Sequence, residues 1–226
     1  MLSWIQNHII LELTRHQTRR YSELKPRDVE GNLFMYHLKG LVGDDLVEKH
    51  EKTYRLTDTG LQYVARISLK TGKIRLQPKL LTAVIAKDEK ENHLLIRWQR
   101  QPNIGQVSIP YGMVHFGESV VDMAALELAE KAGLEGDLTY KGDRYIRGIR
   151  NGQSDRHMLV HLFEATNIRS SQHDKRRREL CECFWAKLTE IPKEQWVPGF
   201  YEIMQSLEGA SHELQEITVE INTSKN

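Results

Sequence analysis

The chain has 226 residues, 39% hydrophobic and 28% charged, with 32 Lys and Arg against 31 Asp and Glu and a net charge of +1. This is ordinary globular usage, which excludes a collagen-like, coiled-coil or wholly disordered chain and confines any nucleic-acid affinity to a local patch. No apolar run approaches the roughly 20 residues of a membrane span. The stretch Met1 to Arg20 also lacks the regions of a signal peptide, so a cytoplasmic protein without membrane contact is expected. The length favours one mid-sized domain and a small one. The two cysteines, Cys181 and Cys183, point to one face of a strand-like segment and read as reduced thiols.

Trp4, Ile5, Ile9, Ile10 and Leu13 recur at helical spacing and predict a first helix. Ser22 is placed to cap a short second helix that Pro26 stops. Asp28 is placed to cap a third, carrying Val29, Leu33, Phe34, Leu38, Leu41 and Val42. Leu46 to His50 and Thr53 to Leu56 flank the charged tip Glu51 and Lys52 as a two-stranded ribbon, and Thr57 with Asp58 caps a helix bearing Leu61, Tyr63, Val64 and Ile67.

Helix, helix, helix, ribbon, helix over residues 1 to 68 resembles the winged helix-turn-helix domains of bacterial and archaeal regulators. The stretch from "YSELKPRDVEG" to "TYRLTDTG" is similar to their second helix through wing. The resemblance implies a third helix that enters the major groove of double-stranded DNA and shows Glu30, Asn32, Tyr36, His37 and Lys39. Arg15, Arg19, Arg20, Lys25 and Arg27, with Lys49, Lys52 and Arg55 on the wing, are the candidate phosphate contacts. With basic and acidic residues nearly balanced here, a protein-docking or dimer module is the alternative.

Residues 69 to 78 form the expected linker, and a larger domain is expected over 79 to 208. Leu80 to Ala86 and His93 to Trp98, separated by "KDEKEN", predict a hairpin. Further strands are expected at Tyr145 to Ile149, His157 to Ala165 and Leu180 to Lys187, then a helix from Gln195 to Leu207. The last segment, 209 to 226, alternates Leu214, Ile217, Val219 and Ile221 and is either an edge strand, of its own sheet or a partner's, or a tail.

The segment "IPYGMVHFGESVVDMAALELAEKAGL" carries the chemistry. A helix from about Ser119 to Ala132 places Glu127 and Glu130 on one face at i and i+3, and Gly112 and Gly117 permit a tight loop before it. Paired carboxylates at the mouth of a loop suit a hard divalent cation. The segment resembles the Nudix box, Gly-x5-Glu-x7-Arg-Glu-U-x-Glu-Glu-x-Gly-U with U a bulky apolar residue. Gly112, Glu118, Glu127, Leu128, Glu130, Gly133 and Leu134 match, whereas Leu126 stands for the Arg and Lys131 for the last Glu.

The resemblance implies a mixed-sheet α/β/α sandwich, an α+β or α/β class overall, with Mg²⁺ or Mn²⁺ held by Glu118, Glu127 and Glu130 if the domain is catalytic. Glu127 and Glu130 would then be the catalytic carboxylates. Lys131 follows Glu127 by four residues and competes with a metal for it. Leu126 deprives Glu118 of the family's ion-pair partner. Asp143, Asp155 and Glu179 are the later acids available to complete a metal shell.

Arg97, Arg100, Arg147 and Arg150 are either phosphate clamps or surface charges. Tyr111, in the place of a family Gly, either shapes a ligand cleft or packs in the core. His115, His157 and His161 lack metal spacing and read as packing residues, and Lys175 to Arg178 as a solvated loop. The combined resemblance implies a homodimeric regulator that senses a nucleotide or other diphosphate-containing metabolite. The alternative is a divergent Mg²⁺-dependent hydrolase of a nucleoside-diphosphate-linked substrate.

Overall fold

Ser3 opens the first helix with a reciprocal cap: its hydroxyl accepts from the Gln6 N–H at 3.2 Å, and Gln6 Oε1 accepts from the Ser3 N–H at 2.9 Å. The computed structural model describes residues 2–68, 71–171, 180–207 and 213–221. It divides into two units, Met1–Leu76 and Gln77–Asn226.

In the first unit α1 (Trp4–Arg15) buries Ile5, Ile9, Ile10 and Leu13 in one core with Phe34, Leu38 and Leu41 of α3 (Gly31–Gly43). Between them lie β1 (Arg19–Arg20) and α2 (Tyr21–Leu24). β2 (Val47–His50) and β3 (Thr53–Leu56) pair antiparallel, followed by α4 (Asp58–Arg66) capped by the Thr57 hydroxyl. Three local expectations are corrected. Ser22 lies inside α2, because Glu23 Oε2 accepts from the Arg20 N–H at 2.7 Å and makes Arg20 the cap. Asp28 belongs to a turn closed by Val29 N–H to Pro26 O at 3.3 Å, so α3 starts only after Glu30. Arg19 and Arg20 pair with Tyr54 and Thr53, extending the ribbon to three strands in the order β1-β3-β2.

The second unit holds two sheets. β4 (Lys79–Ala86), β7 (Tyr111–Met113), β8 (Leu134–Arg150), β9 (Gln153–Ser170) and β11 (Gln215–Glu220) form a five-stranded sheet in the order β11-β8-β9-β4-β7. Its β11–β8 and β9–β4 pairs are parallel and the others antiparallel, a mixed sheet. β5 (His93–Trp98), β6 (Val107–Ser108) and β10 (Cys181–Ala186) form a second, antiparallel sheet. The helix α5 (Val120–Ala132) covers one face of the large sheet through Ala124 and Leu128 against Val84, Ala86, Phe163 and Ala165. The helix α6 (Phe200–Gln205) packs among the opposite-face residues Leu81, Ala83, Val160 and Leu162 and the second sheet. This is a mixed α+β fold.

β4 and β5 are not one hairpin. The Asp88 carboxylate accepts from the N–H groups of Lys90 and Asn92 and turns the chain, but only the Lys87–His93 bridge joins the two arms before they enter different sheets. The last helix is shorter than its apolar spacing predicts. Pro198 lacks an N–H, and Gly199 takes φ +99°, so the regular helix begins at Phe200. The segment from Gln215 joins β8 of its own sheet as an edge strand.

Candidate active site on the box helix

The helix α5 begins at Ser119, whose hydroxyl accepts from the Asp122 N–H at 3.4 Å, and ends at Gly133 with φ +67°. Those two residues fix the helix ends, and the packing of Ala124 and Leu128 on the sheet turns the same face, with Glu127 and Lys131, inward, where they are 2% and 5% exposed. Glu127 reaches β7: an added Cβ on Gly112 would overlap Oε1, Cδ and Cγ of the carboxylate. Gly112 is thus required for close approach, not for a positive φ, whereas Gly117 does take φ +88° in the loop.

The Lys131 ammonium pairs with the Glu127 carboxylate and donates to the Tyr111 carbonyl. It also lies 5.0 Å from the Trp98 ring centroid and 5.3 Å from that of Tyr111, within cation–π range. Tyr111 stacks on Phe200 at 4.4 Å and meets Trp98 edge-on at 5.2 Å. Its hydroxyl accepts from Asn103 Nδ2 at 3.2 Å, and burial pushes the phenol up to about 12. Tyr111 therefore belongs to an aromatic cluster around the ammonium. Arg100 joins it over Trp98 at 5.7 Å.

Glu118 stands apart. Its carboxylate accepts from the His115 N–H at 3.0 Å and lies 2.9 Å from His115 Nδ1, closing the loop that carries the fully exposed Phe116. Glu130 is half-buried on α5, and Leu126 lines a cavity with Asp122, Glu135 and Arg169. These residues do not fit a divalent ion as they stand. The Glu127 carboxylate and the Tyr111 carbonyl, the oxygens a hard cation would take, already hold an ammonium. Among the described residues no group of three His, Cys, Asp or Glu is disposed to hold a metal.

The later acids serve elsewhere. Asp155 lies between Arg150 at 3.0 Å and Arg156 at 3.3 Å, and chiefly the Arg150 hydrogen bond holds its carboxyl below the usual range. Asp143 pairs with His161 at 2.6 Å, and Glu179 and the run Lys175 to Arg178 lie outside the described residues. Arg97 donates to the Gly105 carbonyl and lies over Phe184, while Arg147 faces Glu216 at 3.6 Å. His157 meets the Tyr145 hydroxyl at 2.9 Å. Lys131 as the centre of an aromatic cluster and His161 as an Asp partner were both missed, since the partners lie 18 to 33 residues away in sequence.

In the first unit Arg20, Arg27, Asn32, Tyr36, Lys39 and Lys52 are exposed. Arg19 lies 3.4 Å from Glu23, Lys25 donates to the carbonyls of Pro26 and Val29, and His37 Nδ1 lies 3.2 Å from Ser3 Oγ.

A mixed sheet flanked by a helix on each face, with an acidic helix entered from a glycine loop, defines a Nudix-type fold. The NUDIX domain family model matches residues 78–207, and the chain belongs to that family. Solved structures with the same kind of domain include a NUDIX hydrolase from Nitrosomonas europaea (16% identity, 59% of this chain and 90% of that one, TM-score 0.49). Others are a MutT NUDIX hydrolase from Burkholderia pseudomallei (17%, 58% and 99%, 0.48) and a MutT protein from Bacillus halodurans (19%, 66% and 93%, 0.49). No curated protein matches the chain. No helix among the described residues is long and apolar enough to cross a membrane.

Proposed function

We propose that the Nudix domain binds a nucleoside diphosphate linked to a second group and hydrolyses the diphosphate. The observation that carries this reading is the box helix itself. Glu127 and Glu130 are retained at the family's positions, and Glu127 is delivered onto Gly112 by a helix whose two ends are both capped. Membership of the Nudix family supports a ligand of that class. The test is a hydrolysis screen of the full chain on UDP-glucose, ADP-ribose, NADH and diadenosine tetraphosphate, with Mg²⁺, Mn²⁺ or EDTA. Turnover of at least one is expected, and none in any condition ends the hydrolase reading.

A second reading is favoured by the ion pair at the centre of the site. With the Glu127 carboxylate neutralised by Lys131, the domain would serve as a sensor that binds a diphosphate metabolite without cleaving it. In that reading the first unit is a winged helix that binds DNA as a homodimer, through the exposed Arg20, Arg27, Asn32, Tyr36, Lys39 and Lys52, with Arg19, Lys25 and His37 beside them. Thermal stabilisation by one of the same compounds without turnover, together with DNA retardation that weakens steeply with salt, is its signature. Retardation that is absent or insensitive to salt would overturn it.

A further inference from the structure

Glu127 already spends its carboxylate on Lys131, so the question is which group in this domain is free to take a proton from water. Across the helix-covered face of the large sheet one row of residues runs Asp143, His161, Thr82, Gly112, fixed by the registers Asp143–His161, His161–Thr82 and Thr82–Gly112. Directly opposed residues share a face. His161 is therefore two strand spacings, roughly 10 Å, from the glycine on which Glu127 rests.

The Asp–His pair is built, not incidental. Residues i and i+3 on a regular strand point to opposite faces. A bulge between Tyr140 and Asp143, with Gly142 at φ +94°, breaks that alternation. Tyr140 then opposes Phe163 and Asp143 opposes His161, on one side of the sheet. The Tyr140 hydroxyl donates to Asp143 Oδ1 at 2.6 Å, and His161 Nδ1 lies 2.6 Å from the same oxygen. Bulges of this kind re-aim side chains beside active sites. The side chains of His161 and Asp143 are 20% and 26% exposed, so the imidazole is held but reachable. Among the described residues its Nε2 makes no hydrogen bond. Thr82 in the same row is fully buried, and its Oγ1 has no hydrogen-bond partner. Ionisable groups on the same face of the sheet include Tyr140, Tyr145 and Arg147 of β8, His157 of β9 and Glu216 of β11, and the helix over it carries Glu127, Glu130 and Lys131.

We propose that His161 is the general base of the hydrolase, with Asp143 its positioning residue; this rests on the hydrolase reading. Asp143 accepts the Nδ1 proton and leaves the Nε2 lone pair for water. As the water oxygen bonds to phosphorus, one of its protons passes to Nε2. The bond from that phosphorus to the bridging oxygen breaks, and its electron pair leaves with the second phosphoryl group. The imidazolium then returns its proton to solvent. No oxidant or reductant enters.

The experiment uses the full chain and the fastest substrate among UDP-glucose, ADP-ribose, NADH and diadenosine tetraphosphate. His161→Gln is expected to lower kcat by about 10²- to 10⁴-fold with KM little changed. His157→Gln, a strand histidine paired with a tyrosine outside this row, is expected to leave kcat unchanged. Asp143→Asn presents an amide that donates to Nδ1, so two-dimensional ¹H–¹⁵N spectra should show the neutral ring's proton moving from Nδ1 to Nε2 as turnover falls. A folded His161→Gln chain within about tenfold of the parent kcat overturns the role of His161 while leaving the hydrolase reading in place. A parent imidazole protonated on Nε2 when neutral overturns it as well, even if the variants do not fold. A parent that turns over nothing removes the hydrolase reading and the base with it.

Discussion

The Glu127 carboxylate lies on Gly112 with no room for a single carbon between them. Gly112→Ala forces the carboxylate, and the ion pair with Lys131, off their positions. Overpacking of this kind costs about 1–3 kcal/mol, with a fall in Tm of several degrees. Combining it with Glu127→Ala removes the obstacle, so urea denaturation should show the cost of Gly112→Ala shrinking in that background.

Lys131 neutralises a carboxylate that is 2% exposed. Lys131→Met keeps the bulk but leaves Glu127 buried without the ammonium, a loss of about 3–5 kcal/mol. The double variant Lys131→Met with Glu127→Leu carries no charge at this place and should regain most of that stability. Equal instability of the single and double variants would show that packing around Trp98, not charge pairing, sets the cost.

Lys131→Glu places a second carboxylate at the Tyr111 carbonyl. In EDTA the variant should melt below the parent, because two buried carboxylates repel. Mn²⁺ should raise its Tm in a concentration-dependent way and leave the parent unmoved, which calorimetry with both proteins reads directly.

Burial pushes the phenols of Tyr111 and Tyr140 up to about 12, with the Asp143 hydrogen bond adding to burial at Tyr140. An unfolded tyrosine ionises near 10, so the fold favours the protonated form. Their contribution to stability is fully present below about pH 10 and is lost as pH rises from about 10 to 12. Ultraviolet titration should show late amplitude that Tyr111→Phe and Tyr140→Phe each reduce, and the same variants should flatten the alkaline decline in stability.

The box helix was legible because its signals are local: Ser119 at one end, Gly133 at the other, and carboxylates three residues apart between them. Even the Glu127–Lys131 contact follows from i,i+4 spacing. What surrounds it does not, because Tyr111 and Trp98 reach Lys131 from other strands. Strand alternation tells which residues share a face but not which sheet a strand joins, so β4 and β5 read as a hairpin although they part after one bridge. The last helix was overextended because apolar spacing outweighed the Pro198 and Gly199 that delay it. Asn151 and Gly152, both at positive φ between β8 and β9, are the local turn signal that joins these two strands. The Asp143–His161 pair depends on a bulge, which periodicity alone does not announce.

β11, the outermost strand of the large sheet, lies parallel along residues 144 to 149 of β8. It thereby occupies a row of backbone donors and acceptors that would otherwise be open to any extended peptide. A chain ending before Gln215 would keep the box and its helix but offer that row to other molecules. Such a truncation moves the open edge of the sheet from the 6 residues of β11 to the 17-residue β8, and should self-associate through strand addition more readily than the full chain.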